Sequence, residues 1–582
     1  MLNLIDNLVI LAAFIGIVAV AIHFAKSSQD MDDYYRAGRA LPWSLVVGTL
    51  MASFYGGNGV IGTVGYSTTM GLAGFFIWSI GCHASRFPLA LWIAPRVSVR
   101  ARGTMPELLR RHYGKFTAIL GAVVLVITCM SISEVGATGY AGEAAWGLPA
   151  VVVSIVVVLI SIGITCLGGL MGVAVTDMIF FVLMLCGVCV AFPGMYNAVG
   201  GMAGMKETMS QAPELFTATG GLPALKAVVL ILLCINLYKD PAFYQRFAAA
   251  NSPKTGKRAM LTCFSIFMSF DVICIISGLI VRTHDFNLTI QPELHYVQLV
   301  LQNLPTGVRG FYIVGILGAI ISTIDTYYLV GGEIISNDII FMLRGDKALP
   351  GKTSILITRL SCVAFGAIGL ATAFQFDFIY EITLLLGSMS MSVLFVPLMM
   401  AILYEGKKTN VAGTAAAVVG AVVWLWFRFN PVTMESLGAV DPVLIALPAS
   451  FFAFIIGNFF GRDYSAERRS AIDAAVKSGK DPVSVATTDF ERQMITYEVY
   501  EAKQGKGSFK VEWFGVDGAL VLLYVALACI YGYGMLNCVE WIVAYMAPLV
   551  ASGMAVGIFI KYCSEILSFA TGKKSLHGDQ KK

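Results

Sequence analysis

Apolar blocks of about 20 residues alternate with short polar links along nearly the whole chain, and this pattern is the first structural signal. A helix rising 1.5 Å per residue needs about 20 apolar residues to cross a hydrocarbon layer of about 30 Å, so each block has the length of one membrane crossing. About fifteen spans are expected, over residues 5–25, 43–70, 73–95, 116–139, 149–168, 171–194, 224–249, 258–282, 306–335, 354–375, 379–403, 410–428, 441–461, 515–535 and 540–562, and they are numbered 1 to 15 below. The expected fold class is an all-α polytopic membrane protein. Composition agrees: 57% of the 582 residues are hydrophobic and 13% charged, against roughly 25% charged in a soluble domain.

Charge is informative through its position. A net charge of +4 gives no reason to expect a nucleic-acid partner. Lys and Arg crowd into 26–42, 96–115, 246–258, 344–359, 404–409, 462–513 and the tail from Lys561, whereas the alternate loops hold only Lys206, Lys226, Arg282, Arg309 and Arg428. The excess of positive charge on cytoplasmic loops then predicts an external N-terminus and a cytoplasmic C-terminus in a plasma membrane, the inner membrane of a bacterium. The first block follows Asp6 without a basic flank, which reads as a retained span. The polar segment 462–513, helical near Ala466–Lys477, reads as a cytoplasmic connector. The domain plan is an extra span with entry loop (1–42), a core (43–403), accessory spans (404–461), the connector (462–513), and two final spans with a tail (514–582).

A catalytic constellation is missing. The sequence has no HExxH, no GxSxG and no Cys/His cluster at metal spacing, so an enzyme is not expected. Gly351-Lys352-Thr353 imitates the end of a phosphate-binding loop, but Asp346 stands where its first glycine belongs. Most of the twelve cysteines lie inside spans as small apolar residues, and Cys186 and Cys189 form a CxxC without a second pair.

Interruptions of the apolar spans say more. Span 2 contains Gly56-Gly57-Asn58-Gly59 near its middle, and each glycine costs a helix about 1 kcal/mol. Unwound backbone at that depth must be buried in protein or line a cavity, and its free carbonyls can bind a small cation. Close helix packing is the other reading of the glycines. Span 7 contains Lys239-Asp240-Pro241, which breaks a helix again. Spans 2 and 7 are five apart, so two five-helix repeats, about 43–194 and 224–403, would each open on a broken helix and run in inverted topology. That arrangement predicts an alternating-access transporter. In span 9, Ala319, Ser322, Thr323 and Thr326 share one helical face, an oxygen patch suited to Na⁺ or to interhelical hydrogen bonding. Span 6 adds Asp177, a costly acid inside an apolar segment.

These residues together resemble the sodium:solute symporter family. Asp33-Tyr34-Tyr35-Arg36-Ala37-Gly38-Arg39-Ala40-Leu41-Pro42-Trp43 is similar to that family's entry loop, and Ala52 to Gly62 to its unwound segment. Gly168-Gly169-Leu170 with Thr176-Asp177 resembles a family stretch that has tryptophan where Val175 stands. Tyr244-Gln245-Arg246 with Ala248-Ala249-Ala250 and Ser252 is similar to the end of its second broken helix, with Asn251 replacing lysine. Ala319 to Thr323 and Ser336-Asn337-Asp338-Ile339 complete a set covering about residues 30 to 400.

The resemblance implies a sodium site made by the main-chain carbonyls of Ala52, Tyr55 and Ala319 and the hydroxyls of Ser322 and Thr323. It also implies a possible second cation site at Asp177, Asp325 and Thr326, where aspartate replaces a family serine, so that a tighter sodium site, a proton site or no site are all open. The expected solute cavity is lined by Tyr55, Gly57, Asn58, His83, Arg86, Ser131, Glu134, Asn236, Lys239 and Asp240. Arg86 either forks onto a solute carboxylate or pairs with Glu134. The implied function is sodium-coupled symport of a small polar organic solute, an amino acid or monocarboxylate being favoured, by a protein working as a monomer. A transporter-like sensor signalling through its cytoplasmic segment is the alternative.

Overall fold

A computed structural model describes residues 2–25, 31–101, 103–375, 379–430, 441–504 and 509–570. Helix is the only regular structure among them, apart from one isolated bridge between Leu41 and Ala250. Ten helices are long and apolar enough to cross a membrane, and two bent pairs raise the number to twelve. The count of fifteen is therefore not reached by uniform helices, and three places account for the difference. Spans 5 and 6 run together as Ala150–Ala198, broken at Gly169. Span 3 winds from Gly74 to Arg100 through alternating π and α segments and carries His83 and Arg86. Span 13 is only the 15-residue helix Val443–Gly457.

Gly169 shows why that break is encoded. Its φ of 54° and ψ of −165° suit glycine alone, and an added Cβ would lie 2.7 Å from the Tyr34 carbonyl oxygen in the entry loop. The long helix makes its most extensive contact with span 9, whose first helical part is Val308–Glu333. At Gly315 a Cβ would stand 2.6 Å from the backbone nitrogen of Met184, so the two backbones nearly touch. Lipid is as apolar as leucine, so this approach gains through dispersion and fit rather than through escape from water.

The core consists of spans 2–6 and 7–11, two units each opened by a bent helix. Trp43–Phe54 and Gly59–Met70 meet at 60°, and Ala224–Lys239 and Pro241–Ala249 at 46°. The two units are tied where span 2 begins and span 7 ends, by Leu41 N–H to Ala249 O and Asn251 N–H to Leu41 O, both at 3.1 Å.

Ion pairs collect the basic loops at one end of the molecule. Arg36 reaches Glu333 at 2.6 Å, and Tyr35 donates or accepts at Thr358 (2.8 Å) and Ser354 (3.1 Å). The connector docks at the same end. Its expected helix is Tyr464–Lys477, capped by Asp463, and a second helix, Asp489–Gln504, was not foreseen. Glu498 meets Arg111 at 3.3 Å and Arg468 at 2.7 Å, Glu501 meets Arg100 at 2.7 Å, and Arg110 lies 3.8 Å above the Phe490 ring.

Candidate functional site

The break in span 2 falls where the sequence concentrates glycine. Helix Trp43–Phe54 ends at Tyr55 (φ −97°, ψ 54°), whose N–H still bonds Met51 O at 2.9 Å. Beyond it the backbone leaves the helical ladder, so carbonyls of the last turn lose their usual partners. Span 9 lies against this break. Thr323 Oγ1 stands 3.2 Å from Ala52 O and 3.0 Å from Ala319 O. A hydroxyl has one hydrogen, so it can donate to only one of those two carbonyls at a time, and Ala52 O stands where the helix of span 2 ends. Ser322 Oγ is fully buried and makes no well-aligned hydrogen bond, although the Asp177 carboxylate lies within its reach. The five groups implied for sodium thus include a buried hydroxyl without a well-aligned bond and a carbonyl at a helix end, oxygens of the kind that suit a hard monovalent cation.

The residues of the second implied site also meet, with an addition that sequence reasoning missed. Arg246, counted there among the loop charges, is completely buried. Its guanidinium lies 3.6 Å from Asp177 Oδ2, donates from Nε to Thr49 Oγ1 at 3.1 Å and bonds the Thr326 hydroxyl. Thr49 also donates to Asp177. A tethered cation therefore already holds two of the oxygens at this place. Both carboxylate oxygens of Asp325 and Oδ1 of Asp177 are buried without a well-aligned hydrogen bond, although the Arg246 charge acts on both carboxylates.

A cavity of about 210 Å³ opens beside the break in span 2. Of the expected solute residues, Tyr55, His83, Arg86, Ser131, Glu134, Asn236, Lys239 and Asp240 line it, together with Thr323 and with Asp271, which was not expected. Gly57 stands outside this lining; its N–H donates to Glu134 at 2.5 Å, and a Cβ there would meet Ala137 and Ile320. The side chain of Asn58 lies outside the described residues.

Each charged group has a distinct environment. Asp240 is the N-cap of Pro241–Ala249, accepting from Ala242 N–H at 2.9 Å, while its other oxygen takes the Tyr327 hydroxyl at 2.6 Å. Asp before Pro at a helix start is what capping chemistry favours. Arg86 is 4% exposed; its Nε donates to Cys234 O at 2.8 Å, its guanidinium lies 5.0 Å from the Phe54 ring, and one terminal nitrogen has no partner. No ion pair to Glu134 forms, and Arg86 has no carboxylate partner among the described residues. Ser131 sits at a second break, between Lys115–Thr128 and Ile132–Trp146, in a left-handed conformation (φ 50°). Its Oγ, Asn236 Oδ1 and His83 Nδ1 are likewise buried and unpartnered.

Comparison with known proteins follows the same lines. Residues 34–420 match the profile of the sodium:solute symporter family. The high-affinity proline transporter PutP of Bacillus subtilis is 24% identical over 69% of this chain and 88% of its own length. The sodium/pantothenate symporter of Escherichia coli is 24% identical over 78% of this chain and 95% of its own. The solved structure of a Na⁺-coupled sialic acid symporter shares the fold with a TM-score of 0.68 at 18% identity, covering 79% of this chain and 98% of that one.

Proposed function

The chain belongs to the sodium:solute symporter family, and from that premise we propose that it imports a small polar organic solute, an amino acid or monocarboxylate, by sodium-coupled alternating access. Sodium is the coupling ion. The observation that carries the choice of solute is Arg86, a buried guanidinium on the cavity wall with an unpartnered nitrogen and no ion pair to a carboxylate among the described residues. Leaving a buried charge uncompensated is expensive, and a planar carboxylate satisfies a guanidinium with two parallel hydrogen bonds. Asn236 Oδ1, Ser131 Oγ and His83 Nδ1 supply further contacts to the polar remainder of the solute.

Ala52, Tyr55, Ala319, Ser322 and Thr323 hold the sodium ion. Thr323 and Tyr55 line the solute cavity as well, so the two ligands share walls and each tightens the other, which is what coupling requires. A positive charge moving inward down the membrane potential contributes about 2.3 kcal/mol per 100 mV, before any gain from the concentration gradient. Release into the cell requires the Arg36–Glu333 pair and the contacts around it to part, because they close the end of the molecule that carries the basic loops. That end is cytoplasmic in our reading, with the N-terminus outside, the connector inside, and one chain as the working unit.

The test is a thermal-shift screen of small carboxylates and amino acids, including proline and pantothenate, on the purified protein with and without Na⁺. A ligand whose stabilisation grows with Na⁺, and is lost in Arg86→Gln, is the expected result. A ligand set indifferent to both Na⁺ and Arg86 would overturn the proposal.

A further inference from the structure

Asp271 organises a buried polar cluster that neither the sodium ligands nor Arg86 explains. It lies within Pro253–His284, is 4% exposed, and receives three donors from two other helices. These are the Tyr55 hydroxyl, Ser79 Oγ at 2.5 Å and His83 Nε2 at 3.0 Å. Ser79 and His83 are one turn apart on the same face of span 3. The Tyr55 hydroxyl also reaches Phe267 O at 3.3 Å, and its ring packs edge-on against Phe267 and Phe270 at 5.2 and 4.8 Å. The His83 ring stacks on Phe267 at 5.2 Å, which fixes its plane. Nδ1 of that same ring faces no partner, although His83 is 1% exposed and belongs to the cavity wall.

Two chemically separate systems therefore meet at one carboxylate. Through Tyr55, Asp271 holds the residue whose main-chain carbonyl ends the first broken helix. Through His83, it holds a ring that lines the cavity and whose Nδ1 has no hydrogen-bond partner.

Resting on the reading of Tyr55 O as a sodium ligand, we propose that Asp271 is a positioning residue that couples the solute cavity to the sodium site. It fixes the Tyr55 carbonyl through the Tyr55 hydroxyl, and it orients His83 Nδ1 toward the solute. A solute that engages Nδ1 draws on the same carboxylate that holds Tyr55, so occupancy of one site stiffens the other. Groups that hold a metal's ligands in place are worth about 10- to 100-fold in metal affinity, although they never touch the metal.

The experiment is ²²Na⁺ binding to the full chain in lipid nanodiscs, with Na⁺ as the only probe. Asp271→Asn and Tyr55→Phe should each weaken Na⁺ binding about tenfold. The double variant should be no weaker than the weaker single one, because both substitutions break the same bond. Loosening of the helices would instead make the losses add. Ser79→Ala should leave Na⁺ affinity within about twofold, since the Tyr55–Asp271 bond survives in it. Wild-type affinity in Tyr55→Phe, or additive losses in the pair, would overturn the proposal, and Tyr55→Phe decides alone if Asp271→Asn does not fold. Failure of the underlying sodium site looks different: Thr323→Val would then leave wild-type Na⁺ binding intact, and both readings would fall together.

Discussion

Ser322 and Thr323 are adjacent hydroxyls with opposite energetic standing, and that difference gives the sharpest test of the sodium site. Thr323 Oγ1 lies within 3.2 Å of Ala52 O and 3.0 Å of Ala319 O, so it contributes a hydrogen bond in the absence of any ion. Removing it with Thr323→Val, which keeps the shape, should cost about 1 kcal/mol of stability, the net worth of a neutral hydrogen bond. Ser322 Oγ makes no well-aligned hydrogen bond although Asp177 lies within its reach, and a buried unsatisfied hydroxyl costs about 1–3 kcal/mol. Ser322→Ala should therefore leave the sodium-free protein as stable or more so. With sodium both substitutions act in the same direction, because each deletes one of five oxygens. An oxygen interacting with a full charge is worth about 1.5–3 kcal/mol, which converts to a roughly 10- to 150-fold weaker Na⁺ affinity. Thr323→Ser restores the oxygen and should lie within about threefold of wild type. Melting temperature as a function of Na⁺ concentration reads both effects in one assay. If Ser322→Ala and Thr323→Val both keep the wild-type sodium dependence, the assignment of span 9 is wrong. If Ser322→Ala destabilises the sodium-free protein, Ser322 has a partner and the argument from its orphaned oxygen fails.

Asp177→Asn should abolish concentrative uptake and lower the melting temperature, because Arg246 loses the carboxylate 3.6 Å away; wild-type accumulation would remove Asp177 from the mechanism. Asp325→Asn removes a buried carboxylate that makes no well-aligned hydrogen bond and should leave the sodium-free protein as stable or more so, measured in the same melts. Glu498→Gln weakens the contacts to both Arg111 and Arg468, so amide exchange across 489–504 should quicken about tenfold, whereas unchanged protection would place the docking energy elsewhere. A cysteine at the exposed Ser478 should react with an impermeant reagent only from the cytoplasmic side, and labelling from outside intact cells would reverse the topology.

The sequence made some of this site legible because its residues break rules that apolar helices otherwise keep. Gly56-Gly57-Asn58-Gly59 and Asp240-Pro241 are poor helix formers inside spans, and both mark real bends. The break at Ser131 carries neither glycine nor proline around it, so nothing local announced it. Asp271 is an acid within an apolar span, the same signal that drew attention to Asp177, and applying it evenly would have singled out Asp271, whereas its contacts with Tyr55 and His83 come from tertiary packing. Arg246 was hidden for a different reason. It lies in the second half of a broken helix, near the expected membrane edge where an arginine reads as a topology signal, and only tertiary packing brings it against Asp177. The second connector helix was missed because its polar surface is answered by Arg100 and Arg111, far away in the chain.

Uptake into proteoliposomes tests the central claim most directly. A radiolabelled solute identified by the sodium-dependent thermal shift should accumulate above its external concentration when an inward sodium gradient is imposed, and only equilibrate when Na⁺ is equal on both sides. Solute that binds in a sodium-dependent manner but never accumulates would contradict symport and identify the protein as a sensor built on a transporter fold.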